Sequence, residues 1–324
     1  MSLLKCFNAV ASLAFALAAT ATYGQAWPSK PVHLIVPQTP GGATDVFARA
    51  VGQKLAERWG QPVVVENKGG AAGVIGTDYV AKAPPDGYTL LVTYEGSQAI
   101  NQTLYAKLPF DSVADFSPVA TLAVTPFFLI VGPKMTATST KEYLAAAKAQ
   151  PGKISYSSSG SGSINHLLGE VLKTETGVNI LHVPYKGITA AISDVVGGQV
   201  DSGFASVPSV IQLVQANKVR ALAVTSPKRN ASAPQVPTFI ESGCPGLEVN
   251  PWWGVLGPAN LPAQVTAKIN ADVATVLATT EIQEVFRKQG ASAYVQSADA
   301  FLAQLKNDVQ KWAKVVKSSG ARVD

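Results

Sequence analysis

Sulfur, histidine and charge are all scarce in this sequence. Two cysteines, Cys6 and Cys244, occur among 324 residues, with three histidines and 15% charged side chains. Cys6 precedes an apolar run over residues 10–19. With Lys5 ahead of that run and small residues behind it (Ala19-Thr20-Ala21, Gly24-Gln25-Ala26), residues 1–26 read as a secretory signal cleaved after Ala21 or Ala26. A lipid-attachment cysteine would follow such a run, which Cys6 does not. Cleavage leaves Cys244 alone, so no internal disulfide staples the fold, and a buried thiol before Pro245 is expected. No second apolar run approaches the roughly 20 residues that span a bilayer, so the exported chain is expected to be free of the membrane.

Other absences narrow the chemistry. The net charge of +5 loses one unit with Lys5 and is dispersed, with no Lys/Arg run and no basic stripe interleaved with aromatics, which excludes a nucleic-acid partner. The weak positive bias suits an anionic small molecule. His33, His166 and His182 have no cysteine or carboxylate at ligand spacing, so no metal is expected. Neither G-x-x-x-x-G-K-[ST] nor G-x-G-x-x-G occurs, so no cofactor is expected, and Ser159-Gly160-Ser161-Gly162-Ser163 is not a G-x-S-x-G elbow. A hydrolase built on that serine loop and His166 is left as a minor alternative, whose mark would be ester turnover lost in Ser161→Ala.

What is present is a repeated construction. Val32–Val36 is a β-branched strand, Pro40-Gly41-Gly42 a turn, and Thr44–Trp59 a helix with Phe47, Val51 and Leu55 on one face and Gly60 as its stop. A strand over 61–67, the loop Lys68-Gly69-Gly70-Ala71-Ala72-Gly73 and a helix over 74–83 repeat it. A third strand covers 88–94. Helices are expected at 97–105 and 141–149. A strand over 153–157 then runs through the serine loop into a helix over 164–176, capped by Ser163. A strand over 179–184, the loop Tyr185-Lys186-Gly187, a helix to Val196 and strands over 200–205 and 219–225 follow. The tail is helical over 262–278, 280–289 and 298–319. Alternating strand and helix implies an α/β fold with mostly parallel sheets and flanking helices.

Two long apolar strands, 119–131 and 252–257, are candidates for crossing between lobes as a hinge. The organisation expected is therefore lobe one over 27–125, lobe two over 126–250, and a return to lobe one over 251–324, with Trp252 and Trp253 as core and hinge packing. The loops 37–45, 68–76 and 157–166 each place amides and small polar side chains at a helix start, where the dipole favours an anion. In open α/β sheets such loops border the ligand crevice. Asp45 either caps its own helix or orients a ligand amine or water, and His166 is either structural or a donor to an anion.

At this point the residues resemble a known family. Residues 37–45, 67–76, Pro85-Asp86-Gly87-Tyr88-Thr89-Leu90-Leu91, Ile100-Asn101, 157–166, His182-Val183-Pro184-Tyr185-Lys186-Gly187, 221–226 and Val236-Pro237-Thr238 look like the Bug proteins, periplasmic receptors of tripartite tricarboxylate transporters. The resemblance spans essentially the whole mature chain. It implies a two-lobed, Venus-flytrap fold of the type II periplasmic binding protein class, located in the periplasm and acting as a monomer. It also implies no enzymatic role and a small carboxylate ligand: a di- or tricarboxylate, an aromatic carboxylate or an amino acid. The partners implied are membrane transporter subunits, or a membrane signalling partner if the closed form is a sensor.

Carried over by position, lobe one offers Gly41, Gly42, Ala43, Thr44, Asp45, Gly70, Ala71 and Ala72 to the ligand. The opposite lobe offers Ser159, Gly160, Ser161, His166, Phe204 and Ala205. Four departures bear on the substrate: Gln38 stands where an aromatic is usual, Gly69 where proline is common, Ala72 where glycine is common, and Tyr94-Glu95 at a strand end that is usually small and neutral. If Glu95 faces the cleft, it repels a second carboxylate and receives an amine or hydroxyl.

Overall fold

The β-branched run Val32–Val36 forms β1. The computed structural model, which describes residues 27–321, carries it through a tight turn into α1, Ala43–Trp59. The expected secretory signal, its expected cleavage positions and Cys6 fall outside the described residues. Phe47, Val51 and Leu55 of α1 are buried as their four-residue spacing requires, and Gly60 closes the helix in the left-handed conformation. In chain order there follow β2 (Val63–Asn67), α2 (Val74–Ala81), β3 (Thr89–Tyr94), α3 (Asn101–Leu104), β4 (Phe116–Val124), β5 (Phe127–Val131), α4 (Thr140–Ala149), β6 (Ser155–Ser158), α5 (Ile164–Thr176), β7 (Leu181–Pro184), α6 (Ile188–Val196), β8 (Ser202–Ser206), α7 (Val207–Gln215), β9 (Arg220–Val224), β10 (Trp252–Pro258), α8 (Ala263–Leu277), α9 (Thr280–Lys288), β11 (Ser292–Ala293) and α10 (Ala298–Ser319).

Two sheets result, ordered β11-β4-β10-β3-β1-β2 and β7-β6-β8-β5-β9. Each contains a parallel trio, β2-β1-β3 in one and β7-β6-β8 in the other. Beside each trio lies an antiparallel strand, β10 between β3 and β4, and β5 between β8 and β9. The expected mostly parallel sheets are thus mixed. The reason is that β5 and β10 each enter their sheet from the side of the other lobe and so run counter to strands fed by covering helices.

The long strand expected over 119–131 divides at Thr125-Pro126, because Pro126 has no N–H to continue the ladder. Its first half is β4 in one sheet and its second half β5 in the other. β10 lies wholly in the first sheet, so the second crossing is the short stretch before it. The two links run side by side: the Thr125 N–H donates to the Pro251 carbonyl at 3.2 Å, and the Val249 N–H to the Thr225 carbonyl at 2.9 Å. Along β5 the pleat sends Phe127, Leu129 and Val131 into one core and Phe128 and Ile130 into another.

Two further elements differ from expectation. Helix α7 follows β8 directly, where no element is expected between the strands over 200–205 and 219–225; proline in its first turn removes an N–H that needs no partner there. Residues 96–105 form a π-helical turn, Gly96–Ile100, before the short α3 rather than one regular helix. Among the described residues no helix is long and apolar enough to cross a membrane.

Candidate functional site

A cavity of about 400 Å³ lies between the two lobes. All three loops singled out from the sequence reach it. Gln38, Thr39, Gly42, Ala43 and Thr44 line it from the β1–α1 turn, Gly70, Ala71, Ala72 and Gly73 from the β2–α2 loop, and Ser159, Gly160, Ser161, Ser163 and Asn165 from the β6–α5 loop. The second lobe adds Tyr185, Lys186, Gly187 and Ile188 at the start of α6, and Ser206 and Ser209 at the start of α7. The N-terminal ends of α1, α5, α6 and α7 therefore border one space. First-turn amides have no intrahelical acceptor, so these ends present donors and positive dipole ends to whatever fills it.

Between these polar ends the wall is aromatic. Tyr94, at the end of β3, stacks on Trp253 with ring centroids 5.4 Å apart, and Tyr105, Phe127 and Tyr185 complete the lining. Trp253 is also tied to the α1 terminus, its Nε1–H donating to Thr44 Oγ1 at 3.0 Å. Its neighbour Trp252 points the other way, donating to Asp308 at 2.8 Å and packing edge-on against Phe301. The pleat of β10 thus sends one tryptophan to the cavity and the other to the core. Burial pushes the Tyr94 phenol up to about 12, and burial with the Asp194 carboxylate does the same to Tyr185, so both remain neutral donors.

Among the described residues no aspartate or glutamate lines the cavity, and Lys186 is the one charged side chain that does. Asp45 is turned away: Arg49 Nε donates to its carboxylate at 3.0 Å and the Gly41 N–H at 3.1 Å. Burial pushes Asp45 up, and these donors more than offset it, holding the carboxyl below its ordinary value. Glu95 also faces away from the cavity. It is 4% exposed beneath α10, where Trp312 Nε1 donates to it at 2.5 Å. Burial and then the neighbouring Asp308 push its carboxyl up.

Gly42, Ala43, Thr44, Gly70, Ala71, Ala72, Ser159, Gly160 and Ser161 are thus brought together at the cavity, while Gly41, Asp45, Glu95, His166, Phe204 and Ala205 do not line it. Phe204 acts through its carbonyl, which accepts from Asn165 Nδ2 at 2.6 Å; Asn165 Oδ1 in turn accepts from Ser159. His166 lies behind the serine loop. Ala72, where the resemblance leads one to expect glycine, has φ of 52° and Ala71 has 47°, the left-handed region in which glycine is unstrained. That strain is held by the scaffold: Tyr105 OH donates to the Ala71 carbonyl at 2.8 Å and Asn101 to that of Ala72 at 3.2 Å.

Reasoning from sequence missed the α6 and α7 contributions. Tyr185-Lys186-Gly187 carried the same strand, loop and helix signature as the three loops chosen, so a signal was there. Ser206 and Ser209 carry none, because the segment between the strands over 200–205 and 219–225 shows no strand-to-helix loop signature. Ser158 Oγ does approach an imidazole, His182 Nε2 at 2.6 Å, yet Ser158 is fully buried and its oxygen also accepts from the Gly160 N–H at 3.2 Å. Of the loop serines that line the cavity, Ser159 is bonded to Asn165 and Ser163 to the Gly160 carbonyl. Among the described residues no group of three or more His, Cys, Asp or Glu is placed to hold a metal ion.

Residues 47–321 match the family described as the tripartite tricarboxylate transporter family receptor. The protein BugT of Bordetella pertussis is 35% identical over 92% of this chain and 91% of its own length. Among solved structures, Rpa4515 of R. palustris with adipate superposes with a TM-score of 0.88 at 35% identity, covering 91% of this chain and 99% of that one. The periplasmic binding protein BugD gives 0.87 at 35% identity, over 91% and 99%. MatC of Rhodopseudomonas palustris with bound malate gives 0.85 at 28% identity, over 90% and 100%. The two-lobed fold and the ordered set of loop sequences thus agree with a match over most of the chain: this protein belongs to the tripartite tricarboxylate transporter receptor family, alongside the Bug periplasmic binding proteins.

Proposed function

We propose that this chain is an exported solute receptor that captures a small carboxylate-bearing molecule between its lobes and delivers it to a membrane transporter. The observation that carries this reading is the cavity itself: four helix N-termini from both lobes, with Lys186 and no acidic side chain, border it. A carboxylate there accepts several charge-assisted hydrogen bonds, each contributing about 1.5–3 kcal/mol. A few of these reach roughly micromolar affinity, about 8 kcal/mol, after ordering costs. The aromatic middle accommodates an apolar body. Adipate and malate, carried by two structural neighbours, are molecules of this kind.

Delivery to a transporter, export from the cytoplasm by a cleaved signal, and function without catalysis follow from the same reading and are supported by the family match. The test is a thermal-shift panel of dicarboxylates, tricarboxylates, aromatic acids and amino acids, followed by calorimetry on whatever stabilises the protein. Saturable one-to-one binding of a carboxylate is expected. A panel that leaves the melting temperature unmoved, or stabilisation by uncharged or cationic molecules only, refutes the proposal.

A further inference from the structure

Behind the serine loop of the second lobe are two imidazoles that do not line the cavity. His166 on α5 and His182 on β7 stack with ring centroids 3.9 Å apart, at 18° to one another. Both hold the loop from beneath. The Gly162 N–H donates to His166 Nδ1 at 2.9 Å. His182 Nε2 meets Ser158 Oγ at 2.6 Å, and that oxygen takes the Gly160 N–H at 3.2 Å. A ring nitrogen that accepts an N–H carries no proton of its own. His166 is therefore held as the neutral Nε2–H tautomer, with Nε2 3.6 Å from Glu170 Oε1.

We propose that His166 is a positioning residue for ligand capture: its bare Nδ1 holds Gly162, and with it the cavity face of loop 159–163, so that protonation of that nitrogen releases the loop and weakens binding. The proposal rests on the carboxylate reading of the cavity. It extends that reading from the residues that border the ligand to one that sets their geometry.

The charged and titratable surroundings are few. On its own helix His166 faces Glu170, which Lys173 engages at 2.9 Å. From β6 the Tyr156 hydroxyl donates to Glu170 at 2.7 Å, and from β7 comes His182. His182 is itself held down to about 4, by burial and then by His166, so mild acid leaves it neutral. With Nδ1 protonated, the Gly162 N–H loses its acceptor and two donors face each other.

Two measurements on the mature chain decide the matter. In nuclear magnetic resonance without ligand, the Gly162 amide signal should move with the same midpoint as the His166 ring. Calorimetry with adipate as the probe, at about pH 8 and about pH 5.5, should show about tenfold weaker binding in acid, the equivalent of one lost hydrogen bond. His166→Asn places an amide oxygen near Nδ1 that accepts the Gly162 N–H and cannot be protonated. Its affinity should no longer carry that tenfold change, and the ratio of wild type to variant cancels the protonation of adipate itself. His166→Leu should bind weakly at both pH values.

Tighter or unchanged wild-type binding in acid, relative to His166→Asn, overturns the proposal, as does a Gly162 signal indifferent to the His166 titration. If adipate fails to bind at either pH, the carboxylate reading fails for that probe, and the Gly162 signal still decides whether His166 holds the loop.

Discussion

Gly162 faces Leu104 of the other lobe, and replacing it separates lobe closure from backbone strain. A Cβ built on Gly162 would lie 1.7 Å from Leu104 Cδ2 and 2.5 Å from its Cγ, across the cleft from α5. Leu104 is 2% exposed and packed in the hydrophobic core. Gly162→Ala therefore carries two penalties. An L-residue at φ of 77° costs about 1–2 kcal/mol wherever the lobes are, so this part lowers stability alone. The clash with Leu104 exists only when the lobes meet; overpacking of this kind costs about 1–3 kcal/mol. That is about a 5- to 150-fold rise in the dissociation constant.

Gly41 supplies the control, with φ of 84° and nothing within 4 Å of its Cβ position. Gly41→Ala should lower the melting temperature and leave affinity within about twofold, since the strain is the same in open and closed forms. Leu104→Ala added to Gly162→Ala should restore much of the lost affinity, because it empties the contested space. Calorimetry with adipate reads all three variants, and small-angle scattering should show the Gly162→Ala protein more open. If Gly162→Ala binds as tightly as Gly41→Ala, the lobes do not need this contact to close on a ligand, and the reasoning is wrong.

Lys186 stands at the cavity mouth with its side chain in solvent, so Lys186→Met should weaken carboxylate binding only about two- to fivefold at low salt, and the gap should shrink in salt; a salt-independent loss would contradict this. Burial and Asp308 raise the Glu95 carboxyl in the folded state, so the folded form holds more protons than the unfolded one, and stability falls as pH rises from the ordinary carboxylate range toward neutrality. Glu95→Gln should accordingly raise the melting temperature above neutral pH and change it little near pH 5, a pattern that equal shifts at both pH values would exclude. Cys244 is 2% exposed, and burial followed by Glu175 pushes its thiol up, so a thiol-specific reagent should label it only on unfolding. Fast stoichiometric labelling of the native protein would show otherwise.

Periodicity alone located most elements, because a strand or helix that buries one face must repeat its apolar residues with the period of its backbone. Ile164–Thr176 and Ala298–Ser319 have the bounds read from the sequence. The three glycine- or serine-bearing loops could be singled out for a related reason: a strand that hands directly to a helix leaves unpaired amides wherever it occurs. Local sequence could not say where such loops meet. That Glu95 turns beneath Trp312 while its neighbour Tyr94 stacks on Trp253 depends on a helix and a strand more than 150 positions away. That Asp45 serves Arg49 and Gly41, and that His166 braces the loop instead of lining the cavity, are likewise contacts chosen by packing. The sequence determined which segments carry free helix ends. Only the tertiary structure decided which of them share one cavity, because that follows from how the side-by-side links at Thr125-Pro126 and Val249–Pro251 set the two sheets against each other, a long-range pairing that no local pattern encodes.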